Sequence, residues 1–259
     1  MPSRESNGTV SLVGAGPGDP ELLTLGALVR LRDADLVIYD RLVSKEVLSF
    51  IPSGVAKVYG GKEPGAKGRE RQDKINELMV REAKSGKKVV RLKGGDPFLF
   101  SRGGEEAEFL RDHGVRFEVV PGVSSALAVP AYAGIPLTHR GYSSSLTVVT
   151  GQEAGSKSRH DWSKIAVGSD VLVVLMGAAK LKEIATRLLK AGKPADTPVA
   201  AIMWGTTKRQ RTVTMTLRAA ARRGGVAQEV EAPSVLVVGK VVSLQPKLRW
   251  REERLPRAL

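Results

Sequence analysis

The feature that most constrains this chain is the alternation of patterns along its first half. Apolar, partly β-branched runs at 9–13, 36–39, 55–59, 88–92 and 116–120 are separated by stretches with helical periodicity or turn residues. Strands that alternate with helices imply a parallel sheet covered on both faces and joined by right-handed crossovers. Such crossovers bring the carboxyl ends of the strands to one edge, where ligands of open α/β sheets bind. The loops after Val13, Tyr39, Tyr59, Leu92 and Val120 are therefore the ones to read for chemistry.

Local signals fill in the helices. Asp19-Pro20-Glu21 reads as a helix start, with a cap residue, a proline in the first turn and an early acid. Leu22, Leu25 and Val29 follow at helical spacing. The stretch 72–84 places Ile75, Leu78 and Met79 on one helical face, and 105–113 and 124–133 read as further helices. Two glycines and a proline between Gly134 and Gly141 suggest a linker, which gives expected domains at 1–137 and 138–259. Beyond it, strands are expected at 146–150, 171–175, 199–204, 211–216 and 235–242, with a helix at 181–191. Strands that follow one another without a helix imply antiparallel pairing. The expected fold class is α/β: two α/β domains, the N-terminal one mainly a parallel sheet and the C-terminal one a mixed sheet.

Composition narrows the function. With 259 residues, 42% of them hydrophobic, two modest cores can be buried. The absence of cysteine excludes a disulfide framework and a thiolate metal site, and three scattered histidines have no metal-ligand spacing. No metal is expected. Residues 1–7 lack an apolar run, and the apolar stretch 171–176 is too short to span a bilayer. The expectation is a cytoplasmic protein without membrane partners. A net charge of +14 favours an anionic partner, but its basic residues are spread widely. The densest groups are Lys208-Arg209-Gln210-Arg211 and a tail from Lys247 to Arg257 that reads as solvated. Aromatic residues make up only 5%, too few to supply stacking platforms for a nucleic acid.

The first loop, Gly14-Ala15-Gly16-Pro17-Gly18-Asp19, suggests dinucleotide binding, and Asp40 at the end of the second strand stands where a ribose-binding acid would lie. The spacing argues otherwise. Asp19 occupies the position of the third small residue, and Pro17 removes an N–H that a phosphate cradle would use. Two like charges at 4 Å repel by about 4 kcal/mol at an effective dielectric of 20. The loop from Gly94 to Glu106 is more telling. Paired glycines admit a ligand to the backbone, Asp96 can accept from a ribose hydroxyl or an amine, and Phe98 and Leu99 offer an apolar wall. Such a site suits a neutral nucleoside with a cationic arm better than a phosphate-rich ligand.

Several ordered motifs carry a resemblance: Val13 to Pro20, Tyr39 to Ser44, Gly60-Gly61-Lys62, Gly94 to Glu106, Pro121 to Ser125 and Gly134 to Arg140. Together they resemble the tetrapyrrole methylase superfamily, which uses S-adenosylmethionine. Asp40-Arg41-Leu42-Val43-Ser44 and Pro136-Leu137-Thr138-His139-Arg140 point to its branch that C-methylates uroporphyrinogen III twice to give precorrin-2. The resemblance implies a homodimer with the cofactor between two α/β domains, feeding sirohaem or cobalamin synthesis, and S-adenosylhomocysteine as the spent donor. It makes Pro17, Gly94, Gly95, Asp96, Leu99, Ser124, Ser125, Met176 and Gly205 cofactor-binding positions. It makes Asp40 the proton acceptor and Lys62 the proton donor. The chain departs from the family pattern at Ser101, at Ser124-Ser125 and at Gln152, where a histidine is usual.

A tetrapyrrole with carboxylate arms on every ring would give the basic balance a use. Arg41, His139 and Arg140 are the leading candidates for binding those arms by charge-assisted hydrogen bonds, with Lys62, Arg91 and Arg102 also in or beside the matched loops. Arg102 could equally be a structural turn residue, Lys62 could equally anchor a carboxylate, and Met176 would by default be core packing. A methylase acting on a later corrin precursor is the alternative. A ribosomal-RNA ribose methyltransferase is a more remote one.

Overall fold

The computed structural model of the chain describes residues 8–61, 68–154, 161–222 and 224–251. The chain forms two units, divided between Ser124 and Ser125.

The first unit runs β1 (Thr9–Gly14), α1 (Leu25–Arg32), β2 (Leu36–Tyr39), α2 (Lys45–Leu48), β3 (Ala56–Tyr59), α3 (Gly68–Lys84), β4 (Lys88–Lys93), α4 (Gly103–Asp112) and β5 (Arg116–Val120). All five strands are parallel, in the order β3-β2-β4-β1-β5. Alternate side chains of the inner strands serve two cores. Val10, Leu12, Ile38 and Val89 face Ile75, Met79 and Leu110 of α3 and α4. Val13, Val37, Val90 and Leu92 face Ala27, Leu31 and Val47 of α1 and α2. Burial on both faces is why these strands read as apolar runs.

The first helix departs from expectation. Asp19 does cap a turn, accepting from the Glu21 N–H at 3.0 Å, but that turn is a 3-10 helix ending at Leu22. Thr24 then caps α1, accepting from the Ala27 N–H. The restart rotates the face, so Ala27 and Leu31 are buried while Leu25 and Val29 point to solvent.

The second unit runs α5 (Ser125–Tyr132), β6 (Leu146–Thr150), α6 (Trp162–Val167), β7 (Val171–Leu175), α7 (Leu181–Lys190), β8 (Pro198–Met203), β9 (Arg211–Thr216), α8 (Leu217–Ala221), β10 (Ser234–Val238) and α9 (Gln245–Leu248). Its sheet is mixed, in the order β6-β7-β10-β8-β9, with β6 and β7 parallel and the other pairs antiparallel. The division lies upstream of the boundary expected at 137. Ala126, Val129, Ala133 and Ile135 are buried against Val173, Ala200 and Val237, so α5 and the turn after it belong to the second core. The expected linker is partly a structured turn: His139 and Ser143 exchange backbone hydrogen bonds, and the Ser143 hydroxyl donates to the Leu137 carbonyl. β10 ends at Val238, and the next residue must be glycine: Gly239 has φ 152°, and a Cβ there would sit 2.7 Å from the Asp170 carbonyl oxygen. The start of the basic tail is docked, with the Trp250 indole N–H donating to the Ala131 carbonyl at 2.9 Å.

Leu188 of α7 has no exposed surface and packs in the core formed with Leu172, Val174 and Leu236. Leu188→Ala is expected to cost about 2–5 kcal/mol, measured by urea unfolding; a loss below 1 kcal/mol would contradict this packing.

Candidate active site

Parallel order brings the loops after β1, β2, β4 and β5 to one edge of the first unit. Three glycines let these loops touch through backbone alone. A Cβ on Gly14 would lie 2.5 Å from the Gly122 Cα and 2.6 Å from the Gly95 carbonyl oxygen. One on Gly122 would lie 2.3 Å from that same oxygen. Gly16 and Gly95 exchange N–H···O hydrogen bonds at 3.2 and 2.7 Å, and both have positive φ. Asp96 ties the edge further: its Oδ1 accepts from the Phe98 and Leu99 N–H groups, and its Oδ2 from Gly122 N–H at 3.2 Å. Phe98 and Leu99 remain exposed beside it.

Behind this edge lies a buried ionic cluster. Arg91 and Lys93 leave the same face of β4, with side chains 3% and 1% exposed. The wholly buried Glu106 of α4 accepts from Arg91 Nε at 3.0 Å, from Lys93 Nζ at 2.9 Å and from the Gln72 amide of α3 at 3.0 Å. Arg91 Nη2 reaches Asp40 Oδ1 at 2.6 Å, and Lys93 Nζ lies 4.0 Å from Asp40 Oδ2. Burial would raise the Glu106 carboxyl, but the charges of Arg91 and then Lys93 outweigh it and hold the group below its usual value. Burial also acts against the Arg91 charge, yet Glu106 and Asp40 keep its guanidinium above the ordinary value. Burial and the Arg91 charge pull Lys93 below the ordinary lysine value.

The second unit has an edge of similar construction. Register places Thr150 beside Leu175, Leu175 beside Val235, and Ser234 beside Met203, so β6, β7 and β8 end together. A Cβ on Gly151 would lie 2.5 Å from the Gly177 Cα, and one on Gly205 would lie 2.3 Å from Val129 Cγ1 of α5. Met176, Trp204 and Thr206 all hold left-handed backbone, at φ 55°, 50° and 66°. Non-glycine residues in that region cluster at functional sites. Met176 is 43% exposed, which core packing would not give. The buried Gln210 clamps the turn, accepting from Thr206 N–H at 2.8 Å and donating to the Tyr132 carbonyl at 3.1 Å.

A family model for Tetrapyrrole (Corrin/Porphyrin) Methylases matches residues 9–221. This chain belongs to the tetrapyrrole methylase family. It is 48% identical to a uroporphyrinogen-III C-methyltransferase of Priestia megaterium, over 91% of this chain and 99% of that protein. It is 46% identical to Siroheme synthase 2 of Yersinia enterocolitica, over 94% of this chain but 50% of that protein, so it spans about half the length of the siroheme synthases it matches. A crystal structure of a Thermus thermophilus uroporphyrin-III C-methyltransferase complexed with S-adenosylhomocysteine superposes with a TM-score of 0.77 at 41% identity. That match covers 92% of this chain and all (100%) of the other.

In this chain the residues expected to bind cofactor fall into two groups. Pro17, Gly94, Gly95, Asp96 and Leu99 share the edge of the first unit, which ends at Ser124. Met176 and Gly205 share the edge of the second unit, which begins with Ser125 of α5. The donor set suits a nucleoside with little negative charge: glycine backbone, an apolar wall and carboxylates, with Pro17 lacking an N–H. No group of metal-ligating side chains occurs among the described residues. Asp40 stands on the first edge with Arg41 exposed beside it. Lys62 and His160 lie outside the described residues.

Two of the basic candidates take structural roles. Arg91 is no surface anchor for a substrate carboxylate, because its guanidinium is buried and shared between Glu106 and Asp40. Arg102 sits at the N-cap position of α4 with φ 64° and pairs with Glu105, the structural role weighed against binding. In the basic group at 208–211, Lys208 and Arg209 are exposed, with Arg209 lying 3.6 Å over the Trp204 ring, while Gln210 is buried and Arg211 pairs with Glu229. His139 and Arg140 are exposed, and the His139 Nδ1 accepts from the Gly141 N–H at 3.1 Å. The residues missed were Glu106, Lys93 and Gln72. Their signal was present in Val89-Val90-Arg91-Leu92-Lys93, where two cations on one face of an interior strand require a buried carboxylate.

The Glu106 shift has a sign that can be tested. Its native value lies below the ordinary 4.5, so on acidification the unfolded chain takes the proton first. Its contribution to stability is complete above 4.5 and is lost as pH falls through the lower native value. Urea unfolding of Glu106→Gln should lose stability less steeply than the wild type from about pH 5 to about pH 3. At neutral pH the variant should be weaker by about 3–5 kcal/mol, since two buried cations lose their carboxylate. Parallel pH profiles would contradict the assignment.

Proposed function

We propose that this chain transfers methyl groups from S-adenosylmethionine to two pyrrole carbons of uroporphyrinogen III in succession, giving precorrin-2 for sirohaem or cobalamin synthesis. The observation that carries the reading is the 48% identity, over 99% of its length, to a uroporphyrinogen-III C-methyltransferase. The match to one half of a siroheme synthase supports the same chemistry. The family relationship supports S-adenosylmethionine as the methyl donor.

The bound donor supplies an electrophilic methyl on a sulfonium, and its thioether leaves as a neutral group. The leaving group needs no acid, so the protein's work is positioning and proton removal. As each carbon–methyl bond forms, the pyrrole framework becomes cationic and must shed a proton. Asp40, at the carboxyl edge of β2 with a side chain 29% exposed, is the acceptor in this reading. Gly94, Gly95, Leu99, Ser124, Ser125, Met176 and Gly205 would hold the donor through backbone and apolar contact. Asp96 would keep the Gly94-Gly95 loop in shape from within, since both its oxygens already accept backbone N–H groups. Lys62, Arg41, His139 and Arg140 would meet the carboxylate arms. The reading carries with it a cytoplasmic homodimer; no described helix is long and apolar enough to cross a membrane.

Incubation with labelled S-adenosylmethionine and uroporphyrinogen III under reducing conditions should give a dimethylated product. Methyl incorporation into a later corrin precursor or into RNA, with none into uroporphyrinogen III, would overturn the proposal. Arg41→Ala and Arg140→Ala are each expected to raise KM for the tetrapyrrole about 10-fold, the equivalent of ~1.4 kcal/mol, while leaving KM for the donor unchanged. Unchanged tetrapyrrole KM in both variants would remove these arginines from the substrate site.

A further inference from the structure

Side chains two residues apart on a strand share a face, which is why Arg91 and Lys93 emerge together beneath the carboxyl edge of the first sheet. Desolvating two cations there is costly, and apolar residues of similar volume would fill that face of an interior strand at less expense. What the ionic version adds is direction. Arg91 turns two nitrogens of its rigid guanidinium to different carboxylates: Nε to Glu106 at 3.0 Å and Nη2 to Asp40 at 2.6 Å. Its third nitrogen, Nη1, lies 3.4 Å from the Ile38 carbonyl oxygen, two residues before Asp40.

Glu106 is fixed from behind. It accepts from Lys93 and from the Gln72 amide, which also donates to Asn76 Oδ1 at 3.1 Å. Side chains from α3 and β4 therefore converge on Glu106, Glu106 holds the guanidinium, and only the far end of that guanidinium meets a side chain that solvent reaches. The cluster holds two cations, Arg91 and Lys93, and two carboxylates, Glu106 and Asp40.

We propose that Arg91, locked by the buried Glu106, is the positioning residue that aims the Asp40 carboxylate at the reacting tetrapyrrole. The proposal rests on Asp40 being the proton acceptor. Arg91 touches neither substrate nor donor and acts through Asp40 alone. Lysine cannot replace it, because a single ammonium has no rigid fork to span both carboxylates.

A double-mutant cycle read by single-turnover methyl transfer tests this, with donor affinity and urea unfolding measured on each variant. Asp40→Asn should lower the rate about 100-fold, the scale of a lost general base. Arg91→Lys should lower the rate about 10-fold and leave KM for both substrates within about twofold, because an interaction made in the transition state is lost rather than ground-state binding. The double variant should be no slower than Asp40→Asn alone, since a group that acts through Asp40 has nothing left to do once that carboxylate is gone. If Arg91→Lys does not fold, the balanced pair Arg91→Gln with Glu106→Gln takes its place. It removes one cation and one carboxylate together and should show the same dependence on Asp40. A wild-type rate in Asp40→Asn would sink the proton-acceptor reading and leave Arg91 nothing to aim. An impaired Asp40→Asn whose loss multiplies with that of Arg91→Lys, or an Arg91 effect confined to KM, would overturn the positioning role and leave the Asp40 reading standing.

Discussion

Everything at the edge of the first unit depends on how closely three loops approach without side chains between them. Gly14, Gly95 and Gly122 meet backbone to backbone, at separations where a single Cβ would intrude to 2.3–2.6 Å. The Asp96 carboxylate then closes the arrangement by accepting N–H groups from its own loop and from Gly122. The second unit uses the same device where Gly151 meets Gly177 and Gly205 meets Val129. Glycine is needed at Gly14, Gly122, Gly151 and Gly205 for want of space, and at Gly16 and Gly95 for a positive φ.

The second constraint is electrostatic. A central parallel strand is covered on both faces, so any charge it carries must find a partner inside the protein. Arg91 and Lys93 find Glu106, and through Arg91 the interior is coupled to Asp40 at the surface. The chain as a whole carries +14, but this cluster is balanced. Net charge therefore says little about which cations face a ligand. Arg209 and Arg211 make the same point, one laid over Trp204 and the other paired with Glu229.

Much of the fold was legible because it depends on local patterns. The runs at 116–120, 146–150, 171–175 and 211–216 are strands with the expected bounds, and the last lies in antiparallel pairing, as the missing helix between strands implied. Errors arose where a choice between neighbours decided the outcome. Thr24 rather than Asp19 caps α1, which turned Leu25 and Val29 outward. The helix α5 joined the second core although the glycines that suggested a boundary come after it.

The residues along the chain determined the family, the two α/β units and the loops that carry the chemistry, because strand periodicity, glycine turns and motif order are properties of consecutive residues. Only the tertiary structure decided what each charged or exposed side chain does. It withdrew Arg91 from the surface, revealed Glu106 as its anchor and turned Asp96 inward to the backbone. It also exposed Met176 on a left-handed turn. These outcomes depend on groups far apart in sequence: Gln72, Arg91 and Glu106 converge only when α3, β4 and α4 pack, and burial then fixes which charges must pair.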